Sequence, residues 1–442
     1  MVNTQQLSCF AIFSLVVGSM MGAGIFDIPQ NLTHHAGTIA IIISWLITGF
    51  GMIAMVLSML NINNLKPEIE SGIYGYAKAG FGDNMAFNTA WGYWLSANIG
   101  TISYFIYIFS SLSNFKLFHF FGHGNNLYSL ISSSILLWLI YYLIARGIKE
   151  ASLINIIITI LKIASLVIIL VIFLYFFKIK QFSNNYHHDW EQIKTASSFL
   201  QQLRSTMMVT VWDFLGIECA LIMSSRAKSK KDVRTATLSA LTLVIVIISC
   251  LSLLALGILP TADIAKLNTP STTGVLEHCL PIIVGVISAS DFIRIAIIVC
   301  VLGALLAWIL SASNILYEAA KDGSMPAFIK KTNHKQVPIN ALLITVVFLQ
   351  LSLFVSFFTE LIYLILIQLS ASALLFPYLT TVIYSYRLVT KQQPYYRINY
   401  TINIIALLYI LWLIYAGGLF YFIINTGLYL AGNFLYHYYH KK

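Results

Sequence analysis

Three stretches carry residues able to do chemistry in an apolar setting. VGSMMGAGIFDIPQNL, Val17 to Leu32, holds Gly18, Gly22 and Gly24, then Asp27 and Pro29. TMMVTVWDFLGIECALIM, Thr206 to Met223, holds Asp213, Gly216 and Glu218. ITILKIAS places Lys162 inside a long apolar run. Backbone groups at membrane depth must be hydrogen-bonded, so unwound chain survives there only where it lines a cavity or meets a ligand. Glycine lowers the cost of unwinding and lets a ligand reach the main chain. Amides freed at a helix start suit a carboxylate, and freed carbonyls suit a cation. Gly22-Ala23-Gly24 is thus a candidate for the charged ends of an amino acid. The same glycines also suit close helix packing, and this stretch alone leaves both readings open. The second irregular segment favours a site, because inverted-repeat transporters carry broken helices at matching positions in their two halves.

The buried charges need partners. A charge at the bilayer centre costs about 3 kcal/mol on insertion scales. Lys162 is separated from each surface by ~15 Å of helix, beyond the reach of its stem. It calls for a polar cavity or a carbonyl-lined pocket, as a resident cation or as half of an ion pair. Asp213 and Glu218 point about 140° apart on an unbroken helix, so they face different surroundings. Glu218 suits a gating or proton role in a packed layer. Asp213 suits either a substrate's cationic end or a structural bond. Asp27, ~9 Å from its helix end, suits either a buried role or interfacial water.

The elements around these residues are membrane helices. The chain has 442 residues, 59% hydrophobic and 10% charged, with a mean hydropathy of +0.82. That composition excludes a soluble domain of this length. Apolar runs near 8–33, 38–61, 85–115, 126–145, 152–177, 203–225, 235–259, 282–318, 338–358, 360–388, 398–418 and 419–438 predict about twelve spans, the last two joined at Gly417–Gly418. The eighth could instead be a shorter helix preceded by a surface helix. The outer segment 178–202 is expected to be a polar loop. The net charge of +10 forms no single patch, which argues against nucleic acid. Lys78, Arg146, Arg226, Lys230, Lys331 and Arg387 fall on one side, and both termini are expected in the cytoplasm. The basic run Ser224 to Arg234 reads as a headgroup anchor. Asp83 and Asp322 read as caps and turns, and His34, His35, His187 and His188 as solvated loop residues. Five scattered cysteines have no metal-ligand spacing. Neither a cofactor nor a metal is expected, and no nucleophile–base set suggests an enzyme.

GSMMGAGIFDIPQNL, KPEIESGIYGYAKAGFGD, WGYWLSANIG, VWDFLGIECALIMSSRAKSKKDV and SNILYEAAKDGSMPAFIKK resemble the amino acid–polyamine–organocation superfamily. Within it they look most like the bacterial basic amino acid/polyamine antiporters, over about residues 8–435. The resemblance implies an all-α integral membrane protein with about twelve helices and alternating access without ATP. Residues 1–390 would form a five-plus-five inverted-repeat core with broken helices 1 and 6. The first repeat would cover about 8–177 and the second about 203–390, followed by two extra helices in 391–442. By motif, Gly22, Ala23 and Gly24 would hold the substrate carboxylate, and Trp212 would cover its side chain. Ser370 would touch substrate. Tyr93, Trp308 and Tyr378 would be gating aromatics, Glu218 a gating and pH-response carboxylate, and Lys162 a lysine in a sodium-like site. Three positions depart from the pattern: Thr101 replaces an asparagine near the guanidinium end, Asp213 a small or neutral residue, and Asp27 a serine-like one.

These readings converge on a secondary transporter in the cell inner membrane. It would exchange a cationic amino acid such as arginine, lysine or ornithine for a related amino acid or amine. Thr101, Asp213 and Ser370 would read the far end of the substrate. Proton-coupled uptake without obligatory exchange is the alternative. The expected partners are amino acid substrates and membrane lipid, and relatives of this kind are often homodimers.

Overall fold

The computed structural model describes residues 6–22, 24–192, 196–267, 270–280, 282–284, 287–357, 362–391 and 397–440. In chain order the helices are α1 (Cys9–Met20), α2 (Ile28–Thr33), α3 (Thr38–Leu65), α4 (Gly72–Phe81), α5 (Asp83–Ser113), α6 (Leu127–Arg146), α7 (Ile148–Phe176), α8 (Ile179–Gln192) and α9 (Ala196–Trp212). A single turn α10 (Cys219–Ile222) follows, then α11 (Lys230–Ala255), α12 (Thr261–Ala265), α13 (Ser271–Cys279), α14 (Ala289–Lys321), α15 (Ile339–Ser356), α16 (Ile362–Lys391) and α17 (Arg397–His440). A small antiparallel ribbon, β1 (Ile282–Val284) and β2 (Ile287–Ser288), pairs Ile282 with Ser288. It is an exception to the all-helical expectation. Among the described residues, nine helices are long and apolar enough to cross a membrane.

Local chemistry sets the helix ends. Side chains of Ser8, Asn126, Ser229 and Ser288 cap α1, α6, α11 and α14 by accepting a backbone N–H from their first turns. Gly418, at φ +80°, interrupts α17 where the sequence reading expected a turn between two spans.

Burial sorts the helices into an inner set and a lipid-facing set. α5 packs along both α14 and α16, and α1 packs against α11, α7 and α14. α7 and α17 instead leave Ile157, Val171, Leu174, Leu419 and Leu430 exposed. Such faces are stable only against hydrocarbon.

Three expectations change. The segment 178–202 contributes the helix α8, whose Asn185 and Asp189 are buried. Asp189 accepts from the Thr38 amide at 2.6 Å and tethers α8 to the start of α3. Arg226 is not at a headgroup surface. It is buried, with Nε donating to Asn314 at 3.2 Å and Nη2 to the Gln336 carbonyl at 3.3 Å. The eighth span runs its full length as α14, preceded by the ribbon. Asp83 opens α5 and Asp322 follows the last residue of α14, as expected of caps and turns, and they share one lysine: Lys78 Nζ lies 3.0 Å from Asp83 and 2.7 Å from Asp322, and Tyr74 also donates to Asp322. This ties α4 to the end of α14.

Candidate functional site

α1 and α9 both stop inside the molecule. α1 ends at Met20, a 3₁₀ turn runs Gly24–Phe26, and α2 begins at Ile28. Ala23, between them, lies outside the described residues. α9 ends at Trp212, and a run of turns leads through Gly216 to α10. The two interruptions are joined, because Ser19 Oγ donates to the Gly216 carbonyl at 3.0 Å. Gly216 has φ +101°, and a methyl there would stand 2.6 Å from Ser19 Cβ. Only glycine meets both demands. Gly216→Ala is expected to cut transport at least about tenfold and lower the melting temperature, since strain of this kind costs roughly 1–3 kcal/mol. Uptake and thermal unfolding of the purified variant check it.

Carbonyls at the end of α1 have no helical partners. The sequence left Lys162 between an ion pair and a carbonyl-lined pocket. Its ammonium, fully buried on α7, donates to the Met21 carbonyl at 2.5 Å and the Gly18 carbonyl at 3.3 Å. Asn155 and Thr159, lower on the same face of α7, both reach the Ser14 carbonyl. The cation thus sits at the negative end of a helix dipole.

On the other side of the break, the aromatics close in. A methyl on Gly22 would lie 2.5 Å from the Tyr104 hydroxyl, and one on Gly24 would lie 3.1 Å from Trp212 Nε1. Tyr104 and Trp212 stand 6.5 Å apart, centroid to centroid. The glycines therefore allow two rings to reach the main chain.

A cavity of about 320 Å³ opens from this point. Gly24, Asn31, Met208, Trp212, Asp213 and Gln368 are among its walls, and His34 and His35 stand at its rim. Asp213 is 2% exposed, and its Oδ1 has no hydrogen-bond partner among the described residues. That oxygen would stand 3.5 Å from a Gly24 Cβ. A buried carboxylate oxygen without a donor is costly unless a ligand supplies one. His34 and His35 are exposed as predicted, but they belong to the cavity mouth. Burial and the neighbouring His34 ring both push His35 below the usual imidazole value, which keeps it neutral at physiological pH.

Asp27 does not reach interfacial water. It is 3% exposed, accepting from Tyr107 Oη at 2.6 Å and from the Ser271 amide at 3.2 Å. Thr272 also donates to the Phe26 carbonyl at 2.7 Å, so α13 clasps the turn after the break.

Deeper in the molecule, Tyr378 and the Gly216 amide donate to Glu218 Oε2. The Tyr93 hydroxyl also lies against Glu218 and Ser311. Trp308 donates to the Ser19 carbonyl at 2.9 Å and stacks 6.1 Å from Tyr93. Ser370 is occupied by Ser96, each hydroxyl donating to the other's carbonyl at 2.8 Å. Ser370 Oγ and the Trp212 ring edge both approach Gly100. Thr101 Oγ1 donates to the Ala97 carbonyl at 2.6 Å. The structure thus brings Gly24, Trp212 and Asp213 to one cavity, sets Gly22 against Tyr104 at the break, and groups Tyr93, Glu218, Trp308 and Tyr378 around Ser19 and Gly216. Sequence reading passed over Ser19, Tyr104, Tyr107 and Gln368, which resemble ordinary helix residues until the breaks meet.

Two interrupted helices joined through Ser19, a lysine on freed carbonyls and a cavity at the break form a coherent arrangement. Residues 7–437 match the family model described as amino acid permease. The chain belongs to the amino acid permease family. It is 39% identical to the arginine/ornithine antiporter of Pseudomonas aeruginosa, over 98% of this chain and 91% of that protein. It is 33% identical to the arginine/agmatine antiporter of Chlamydia pneumoniae, over 95% and 87% respectively. The match takes in both interruptions, Lys162 and most of α17, so this permease is a multi-pass membrane protein throughout its length.

Proposed function

We propose that this permease is a secondary antiporter of the cell inner membrane. It exchanges a cationic amino acid such as arginine, lysine or ornithine for a related amino acid or amine. The observation that carries the substrate charge is Asp213, a buried carboxylate with an unpartnered oxygen on the wall of the cavity beside Trp212 and Gly24. The names of the relatives agree with that charge.

In this reading the chain crosses the membrane twelve times. α1–α2 and α9–α10 each make one broken crossing and α17 makes two. The first repeat ends with α7 and the second with α16, and both termini lie in the cytoplasm. The substrate's α-carboxylate meets amides at Gly22, Ala23 and Gly24, and its ammonium meets carbonyls of the unwound chain. Trp212 covers the side chain and Asp213 pairs with the distal cation. Thr101 and Ser370 line the far wall once their present bonds exchange. Trp308, Tyr93 and Tyr378 seal the inner side, Glu218 responds to their movement, and Lys162 holds the end of α1 in place of a mobile cation. Ligand drives the cycle only through its different affinity for the outward and inward states.

Trp212→Leu is expected to weaken substrate affinity about 10–30-fold, because a desolvated cation–π contact is worth about 2 kcal/mol. Unchanged affinity and turnover would remove Trp212 from the mechanism. Labelled-arginine uptake into proteoliposomes tests exchange itself. Uptake only into vesicles preloaded with a cationic amino acid or amine is expected. Equal uptake into empty vesicles, rising with an inward proton gradient, would establish symport instead. The full burial of Glu218, with no basic partner among the described residues, is the observation that favours that second reading.

A further inference from the structure

A second cavity of about 340 Å³ lies away from the substrate path, between α16 and the two arms of α17. We propose that it binds an anionic phospholipid, with an acyl chain in the cavity and the phosphate on Arg204. This inference does not rest on the transport reading.

The shape suits a hydrocarbon chain. On α17 the lining runs from Gly418 to Asn433, about 22 Å of helix. That is most of the ~30 Å hydrocarbon thickness. Leu375, Phe376, Leu379, Ile414, Phe422 and Leu430 supply apolar wall. Most polar side chains along it are turned to partners of their own. Thr426 donates to the Phe422 carbonyl, Tyr429 to the Ala373 carbonyl, and Asn88 and Asn433 both bond Asn84. Asn425 Oδ1 alone of these stays unpartnered. Leu419, Phe422, Ile423 and Leu430 are each more than half exposed beside the cavity, so it opens onto an apolar face of membrane-spanning helix.

The charge sits at one end. A Cβ on Gly418 would lie 3.5 Å from Arg204 Nη2. The guanidinium also stacks over Tyr415, 5.0 Å from the ring centroid. Arg204 has no acidic partner among the described residues. A planar cation exposed at the mouth of an acyl-sized cavity recognises phosphate through paired N–H donors.

Native mass spectrometry of the purified full-length permease tests this, with phosphatidylglycerol and phosphatidylcholine of matched chains as probes. Wild type should retain phosphatidylglycerol at least about fivefold more than phosphatidylcholine. Arg204→Gln should erase that preference and Arg204→Lys should keep most of it. Thr426→Trp, which fills the cavity, should remove both lipids while thermal unfolding in detergent stays cooperative. Three results would each overturn the proposal: no retained lipid, retention indifferent to Arg204→Gln and Thr426→Trp, or Thr426→Trp converting a dimer to monomers with lipid unchanged. The last would mean that a second copy of the chain fills the cavity.

Discussion

Asp213→Asn should nearly abolish transport of arginine and lysine while making the protein more stable. The two effects have opposite signs for one reason. In the free protein the carboxylate is 2% exposed and its Oδ1 accepts nothing among the described residues, so burying it is a cost. In the loaded protein the same charge would meet the substrate's cation. A hydrogen bond to a charged group contributes roughly 1.5–3 kcal/mol net. Removing one partner of a buried ion pair costs about 3–5 kcal/mol. At 1.4 kcal/mol per factor of ten, the loss in kcat/KM for arginine is about 10- to 4,000-fold. Neutral amino acids of similar length should lose far less. Thermal unfolding without substrate should rise in temperature. Unchanged arginine kinetics with a lower melting temperature would make Asp213 a structural residue.

Lys162→Met is expected to fail on both counts. Methionine keeps the apolar stem but leaves the Met21 and Gly18 carbonyls without their donor. Each buried unpartnered carbonyl costs about 1–3 kcal/mol, so the break in α1 loses about 2–6 kcal/mol of support. The melting temperature should fall and transport should drop to background, even where the variant reaches the membrane in normal amount. Because α1 must hold its end at Met20 for Gly22 and Gly24 to stay clear of helix, the defect should also appear as lost substrate protection in thermal unfolding. A variant with wild-type stability and transport would mean that water or another group serves those carbonyls equally well. The Asp213 and Lys162 variants thus test the proposed ligand role of one charge separately from the backbone role of the other.

Much of this was legible in one dimension. Apolar runs of spanning length gave the membrane class, because bilayer thickness sets a length that composition alone reveals. The clustered glycines around Gly22, and Asp213 beside Gly216, marked the two interruptions, since such residues are costly inside an apolar helix. Lys162 was recognisable as needing partners for the same reason. The nature of those partners was not, because backbone carbonyls carry no signature in side-chain order. The fates of Asp27 and Arg226 also escaped the sequence. Tyr107 and Ser271 sit 80 and 244 residues from Asp27, and Asn314 sits 88 residues from Arg226. Distance along the chain hides such pairs.

By itself, then, the sequence determined that the chain spans a membrane as helices, and which charges the bilayer would not tolerate unpaired. These follow from local composition and from solvent. Only the tertiary structure decided which of these groups find partners in distant helices. Asp27 finds Tyr107 and Ser271, and Lys162 finds the end of α1, while Asp213 keeps an oxygen without a donor among the described residues, beside Trp212 at an open cavity. That outcome depends on how distant helices meet, and hydrogen bonds of about 3 Å allow no inference until both partners are in place.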